Sequence, residues 1–479
     1  MSKLVSNYIF NSCYQVLILI LPLVTMPYIS RVIGPEGIGI QAYSNSIVQV
    51  FMIFAVLGIP LYGNKQMAAS KTKGKSELSK NFWEVYCIQF ISSLVFIFAY
   101  VVFAILFVKE FKLIFLLQTI LLFSSLLDIS WFFIGIEELK KVVIRNAVVR
   151  ILSVSLIFLL VNDMEDLILY VIISSGTVAL GQLLMWLQIF KYVSPPKFME
   201  INPWKHSKAI LFLFLPQLII QIYVILDRVI LGLLSSEVEV AYYDQALKIV
   251  KVSLALITSI STVMLPRIAA EFTQGNLDKI THYSKIVGRL ILIVSLPIAT
   301  GLAGIAHLFT EWFFGNGFES VGDLIILMSP IIVFVGLSNL FGMQILIPTN
   351  QQNKFTISVS VGALVSIIIN LLLVNTFGSR GTAFATLLAE LVVAVIMLVY
   401  VKGYINHQTI LKLLLKYGAL SVLMGILVFV IGFYSQFPAP VTNIIQIIFG
   451  FLFYFTILYL IRDQFLLQAI NKVLKKRWK

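Results

Sequence analysis

Charged side chains stand inside stretches that otherwise read as continuous hydrocarbon: Asp128, Asp227, Arg228, Asp244, Lys248, Lys251 and Glu390, with Arg31 near the end of another. A charge at the centre of a bilayer costs at least a few kcal/mol, so such residues mark pathways, relays or ion sites. Amides accompany them at helical spacing. Lys3, Asn7, Asn11 and Gln15 recur every four residues, as do Gln41, Asn45 and Gln49, and Gln217, Gln221 and Arg228 share one face. Asp244, Lys248 and Lys251 repeat at i, i+4 and i+7. From an outer end near Val240, a rise of 1.5 Å per residue puts Lys248 roughly 12 Å and Lys251 roughly 16 Å deep. Deep cations suit an anion, above all a phosphate, which guanidinium grips through paired donors and ammonium as a point charge. Asp128 and Glu390, one in each half of the chain, are the acids that would take up H⁺ or bind Na⁺. Two plainer accounts stay open here: interhelical hydrogen bonds for the amides, and an intrahelical ion pair for Asp244 and Lys248.

The elements that position these groups must be membrane spans. The 479 residues are 59% hydrophobic and only 12% charged, with a mean hydropathy of +0.98; a soluble protein carries about a quarter charged residues. Apolar runs of about twenty residues recur along the chain, each long enough to cross a hydrocarbon core of about 30 Å. The reading is an all-α polytopic membrane protein of about fourteen helices, at 6–30, 38–61, 82–108, 113–136, 142–161, 167–190, 209–233, 240–265, 285–307, 322–346, 355–376, 381–401, 413–434 and 442–461. Most of the 35 Lys and Arg fall in loops and span ends on one side, while the other side holds Arg31, Lys109, Lys112 and Arg380. The positive-inside rule then places both termini in the cytoplasm. The +13 charge is spread over these loops, which points to topology and away from nucleic acid. The basic tail from Asn471 to Lys479 lies on the inner side, next to membrane lipids.

Two functional classes are excluded. No loop is long enough for a soluble catalytic domain, and His206, His282, His307 and His407 are scattered with no metal cluster or nucleophile triad around them. The two cysteines, Cys13 and Cys87, lie inside spans and suit neither a disulfide framework nor a metal site. The chain is therefore read as no enzyme, with no metal and no cofactor.

An internal repeat organises the spans. Arg-Val-Ile recurs at 31–33 and 228–230, and Ala-Tyr at 42–43 and 241–242. Six spans per copy keep both copies in one orientation, which predicts lobes at 1–200 and 201–405 related by a pseudo-twofold along the membrane normal. The two last helices and the basic tail follow at 406–479. In transporters of this plan the substrate sits between the lobes near the midplane.

Four stretches in register resemble the repeat-unit polysaccharide flippases (Wzx type) of the multidrug/oligosaccharidyl-lipid/polysaccharide exporter superfamily. They are PYISRVIGPEGIGIQAYSNS from Pro27, LLDISWFFIGIEELKKVVIRNAVVR from Leu126, LDRVILG with AYYDQALKI and MLPRIA, and the region from Ile345 to Glu390. In the second, Asp128, Trp131, Phe132, Gly135 and Glu137 fall on the family pattern, although Ile134 stands where the family has Gln. In the last, Pro348, Lys354, Asn370, Gly378, Gly381 and Glu390 do so. The resemblance implies a bacterial plasma-membrane flippase that carries undecaprenyl-pyrophosphate-linked oligosaccharide outward by alternating access, coupled to H⁺ or Na⁺ entry, with a polysaccharide polymerase as a possible partner. Arg31, Arg228, Lys248 and Lys251 would then hold the diphosphate or acidic sugars. Asn7, Asn11, Gln41, Asn45, Gln217 and Gln221 would contact hydroxyls, and Asp128, Asp244, Glu390 or Asp227 would couple the ion. A lipid II or teichoic acid precursor flippase and a multidrug exporter of the same superfamily are the alternatives.

Overall fold

The computed structural model describes residues 3–196, 201–274 and 276–468, with side chains at 3–13, 259–267 and 277 outside the description. The predicted contacts of Asn7 and Asn11, and the basic tail, thus lie outside the described residues. Among the described residues the chain is helical, without strands, and eleven helical stretches are long and apolar enough to cross a membrane. They fall into two compact units, 1–241 and 242–479.

The first unit holds α1 (Lys3–Val56), α2 (Ile59–Lys71), α3 (Lys75–Leu106), α4 (Lys112–Leu127), α5 (Ser130–Gly135), α6 (Leu139–Leu160), α7 (Leu167–Ile189) and α8 (Ser207–Leu234). A straight helix of 54 residues would be roughly 80 Å long, far beyond the hydrocarbon core. The backbone of α1 breaks at Gly34, where φ is 71° and ψ 176°, a conformation an L side chain rarely adopts. Pro35 follows, with its φ already set for the first turn of the next segment.

Where sequence periodicity reads one span over 113–136, the structure breaks the helix between α4 and α5. A break inside hydrocarbon frees backbone groups that must find partners. Gln89 of α3 supplies them. Its Nε2 donates to the carbonyls of Ser125 (2.7 Å) and Asp128 (2.8 Å), and its Oε1 accepts from Trp131 Nε1 at 2.9 Å. Asp128 Oδ1 accepts the Ser130 N–H at 2.9 Å. Phe82, Trp131 and Phe132 pack as a buried aromatic cluster around this clamp. At Gly135 a Cβ would stand 2.6 Å from the Asn64 carbonyl oxygen of α2, so the family-like Asp-x-x-Trp-Phe-x-x-Gly pattern is the set of contacts that holds the broken helix.

The chain entering α8 is fixed by a buried carboxylate. Glu84 accepts from Asn202 N (3.0 Å) and Lys205 Nζ (2.5 Å), and bonds His206 Nε2 (3.0 Å), while His206 Nδ1 meets Tyr62 Oη at 2.5 Å. Both Glu84 and His206 are buried.

The second unit continues from α9 (Glu237–Thr273), which begins at the end of the first. It contains α10 (Leu277–Phe314), α11 (Glu319–Met328), α12 (Ile331–Ser338), α13 (Gln352–Tyr400), α14 (His407–Tyr434) and α15 (Ala439–Leu460). A π-helical turn, Asn339–Leu346, follows α12, so the span read at 322–346 is also segmented. In α13, Gly378 has φ 53° and ψ −130°. The reversal there is shown by Thr382 Oγ1, which donates to Asn370 Oδ1 at 2.9 Å; twelve residues of unbroken helix would hold them roughly 18 Å apart. Small residues line the contact of the two halves, with Gly362 against Val393 and Ala389, as close helix packing in membranes requires.

Candidate functional site

Each unit carries polar side chains at helical spacing. In the first, Gln41, Asn45 and Gln49 lie along the second half of α1, all half-buried, and Gln49 donates to Asn45 Oδ1. Gln49, Gln217 and Gln221 line one pocket of about 250 Å³ between this segment and α8, floored by Met52, Ile53 and Phe214. Gln49 thus meets two amides of a helix far along the sequence on a shared surface. Each amide offers both donors and an acceptor, which suits hydroxyl-rich ligands. On the same α8, Asp227 is buried and Arg228 half-buried. Arg31 is exposed, with Nη1 donating to the Pro27 carbonyl at 3.2 Å.

A second pocket of the first unit, of about 330 Å³, opens between α1, α6 and α7 and is lined by Arg145, Arg150 and Gln182 among others. Arg145 Nη2 donates to Ser130 Oγ at 2.8 Å and Nη1 to Gln182 Oε1. Arg145 and Arg150 were not among the expected site residues. The sequence reading starts the fifth span at 142 and assigns both arginines to its inner end. The helix begins at Leu139, so Arg150 lies roughly 16 Å along an α6 of roughly 33 Å, close to its middle.

In the second unit, Lys248 Nζ pairs with the buried Asp244 Oδ2 at 2.6 Å, the i, i+4 pair that the spacing predicts, and the Lys248 side chain stays 41% exposed. Lys251, one turn further, is exposed. Next to Asp244, Tyr243 Oη bonds Thr386 Oγ1 at 2.9 Å. Thr382, Thr386 and Glu390 stand at four-residue intervals on the second half of α13, with Asn370 bonded to the first. Glu390 is half-buried. This hydroxyl-rich layer escaped the sequence reading, since isolated Thr and Tyr in an apolar run carry no periodic signal of their own. Asp128, in the first unit, spends one carboxylate oxygen on the Ser130 N–H at the start of α5.

An apolar groove of about 560 Å³ also runs along the second unit between α9, α10, α14 and α15, with Pro297, Gly301, Met424, Gly450 and Tyr454 in its walls. Among the described residues no group of His, Cys, Asp and Glu has the makings of a metal centre.

Known proteins resemble this chain in fold and sequence. The lipid II flippase MurJ in an inward closed conformation superposes with a TM-score of 0.76 at 18% identity, covering 96% of this chain and 99% of its own. An inward-facing multidrug resistance MATE family transporter of the MOP superfamily gives a TM-score of 0.63 at 13% identity, over 82% and 95% of the two chains. In sequence, the "Putative O-antigen transporter" of Escherichia coli (strain K12) is 23% identical over 402 residues, 83% of this chain and 96% of the relative. The lipid II flippase MurJ of Bacillus subtilis (strain 168) is 26% identical over 207 residues, 41% of this chain and 37% of that protein. These matches bear out the all-α membrane fold, the transporter class and the resemblance to polysaccharide flippases. The sequence model of one family, described as "Polysaccharide biosynthesis protein", matches residues 4–271, more than half of the chain, and the protein belongs to that family.

Proposed function

We propose that this protein moves lipid-linked oligosaccharides, joined to undecaprenyl through a diphosphate, from the inner to the outer leaflet of a bacterial plasma membrane by alternating access. The observation that carries the reading is the exposed Lys251 near the middle of α9, beside the Lys248–Asp244 pair. Cations within the membrane face a water-filled cavity or pair with other groups, and an anionic cargo supplies such a partner. The cargo has three parts, and each is assigned its own residues. The diphosphate is assigned to Arg31, Arg228, Lys248 and Lys251. Sugar hydroxyls are assigned to Gln41, Asn45, Gln217 and Gln221, the last two of which line one pocket together with Gln49, with Asn7 and Asn11 completing the set. The isoprenoid chain suits the apolar groove between α9, α10, α14 and α15.

Asp244 and Glu390 are the leading candidates for coupling H⁺ or Na⁺ entry, because each adjoins the Tyr243–Thr386–Thr382–Asn370 layer or shares its helix face. Asp227 and Asp128 complete the acids of this reading. Both termini are placed in the cytoplasm, and a polysaccharide polymerase is the expected downstream partner. The MurJ-like fold favours a lipid II or teichoic acid precursor as the second reading; cell lysis on depletion with surface polymer intact would select it.

The test is surface polymer in cells carrying Arg228→Ala or Lys251→Ala. Loss of one charge-assisted contact of 1.5–3 kcal/mol lowers transport about tenfold or more. Surface polymer should fall by that factor while the protein stays in the membrane fraction. Wild-type polymer levels would remove both residues from the substrate path.

A further inference from the structure

We propose that the pocket between α1, α6 and α7 is an oxyanion site, taking a carboxylate or phosphate group on Arg145 and Arg150. It lies within the first unit and uses none of the residues assigned to the diphosphate. Arg150 stands near the middle of α6, is exposed into this pocket, and has no hydrogen bond or ion pair among the described residues. A guanidinium at that depth costs several kcal/mol without a counter-charge or water, and it stays protonated at every physiological pH.

Arg145 adds to the deficit. Its hydrogen bonds go to neutral acceptors, Ser130 Oγ and Gln182 Oε1, and its Nε is buried without a partner. The carboxylate within electrostatic reach is Asp128, which already accepts the Ser130 N–H. The pocket lining thus carries two guanidinium groups and no carboxylate, and the carboxylate that acts on Arg145 is partly committed. Ser174 and Thr177 turn their hydroxyl protons back to helix carbonyls, so the charged donors lining the cavity are the two guanidinium groups, beside the neutral groups of Tyr14, Asn146, Ser153, Tyr170 and Gln182. Such a lining repels cations and offers paired N–H donors to an oxygen pair, the geometry of carboxylate and phosphate recognition. A volume of about 330 Å³ admits one such group together with water.

The anion has two possible sources, an acidic sugar of the cargo or a free inorganic ion, and the experiment separates them. Full-length protein in neutral-lipid nanodiscs is titrated with inorganic phosphate, with glucuronate and with glucose, following its thermal stabilisation. Phosphate and glucuronate should stabilise saturably and glucose should not. Arg150→Gln should weaken both by about tenfold or more. Arg150→Lys, which keeps the charge, should lose less and so reports that the fold is intact. Arg31→Gln combined with Arg228→Gln should leave this response in place. Equal binding by wild type and Arg150→Gln, or equal stabilisation by glucose, would overturn the proposal.

The second arm compares flipping of lipid-linked glycans with and without a uronic acid. A selective loss with the acidic glycan in Arg150→Gln supports the proposal and makes the cargo's carboxylate the ligand. Unchanged selectivity alongside lost phosphate binding supports it with a free anion. The binding arm stands even if wild-type protein flips neither glycan, so failure of the flippase reading and failure of the anion site are told apart.

Discussion

Gly39→Val is expected to leave almost no folded protein in the membrane, and Gly39→Ala to lower the thermal midpoint clearly. A Cβ at position 39 would lie 1.8 Å from the Glu237 carbonyl oxygen and 2.4 Å from its carbonyl carbon, at the first turn of α9. The obstacle is backbone, so no rotamer change relieves it and the two helices must separate. Overpacking a tight contact costs about 1–3 kcal/mol, and this one belongs at or above the upper end because a rigid helix must shift. Gly176→Ala is the matched control, for a Cβ there meets nothing within 4 Å, and alanine is the better helix former. Detergent extracts of the variants, run by size exclusion and heated, give the comparison. Midpoints for Gly39→Ala and Gly176→Ala that coincide would show that the two helices do not approach as described.

Asp463→Asn should destabilise the second unit by about 2–3 kcal/mol at neutral pH and flatten part of its acid dependence. The Asp463 side chain is buried at the end of α15. Its Oδ2 accepts from Lys416 Nζ at 2.6 Å, Arg289 Nη2 at 3.0 Å and Tyr417 Oη at 3.0 Å. Its Oδ1 accepts the N–H groups of Phe465 and Leu466, capping the turn that follows. Arg289 Nε also donates to Tyr417 Oη at 2.7 Å, so α10, α14 and the chain after α15 meet at one carboxylate. Burial alone would raise its pKa. The Lys416 hydrogen bond, the Leu466 N–H and the Arg289 charge outweigh it and hold the carboxyl down to about 2 from an ordinary 3.8.

The sign follows from that depression. The stabilising contribution is complete above the unfolded value near 3.8 and disappears as pH falls from there through about 2. At 1.36 kcal/mol per unit it amounts to about 2 kcal/mol. Removing one partner of a buried pair strands the others, at up to about 3–5 kcal/mol; Lys416 and Arg289 remain partly exposed, which pulls the figure down. Thermal scans between pH 7 and pH 2 check this. Asp463→Asn should lose midpoint at pH 7 and converge on wild type at the acid end. Equal midpoints at pH 7 would mean the latch carries no weight.

Hydropathy made the spans legible because a 30 Å apolar solvent demands length and little else of a helix. The gaps read at 31–37 and 377–380 contain the two backbone breaks, Gly34 and Gly378. The pairing of Asp244 with Lys248 was visible because it is local, one helical turn long. Depth was harder. Arg150 was counted with the inner span end although even a start at 142 sets it roughly 12 Å along the helix, and the α4–α5 break was hidden because Asp128 and Ser130 look like any polar pair in an apolar run. Gln89, which satisfies that break, and Asp463, bound to Arg289 across 174 positions of sequence, carry no periodic signature. A single chain shows which residues are polar, while their partners are fixed only when the helices pack.

The measurement that bears most directly on the flippase reading is leaflet transfer in proteoliposomes. Purified protein is reconstituted with a fluorescent diphosphate-linked oligosaccharide lipid, and the outer-leaflet fraction is followed with an impermeant quencher under imposed pH or Na⁺ gradients. Wild-type protein should accelerate transfer well above protein-free vesicles, one gradient should drive it, and joint Arg228→Ala and Lys251→Ala should return it to the protein-free rate. Transfer by wild type that equals the protein-free rate under every gradient would contradict the assignment of these cations to a lipid-linked anionic cargo.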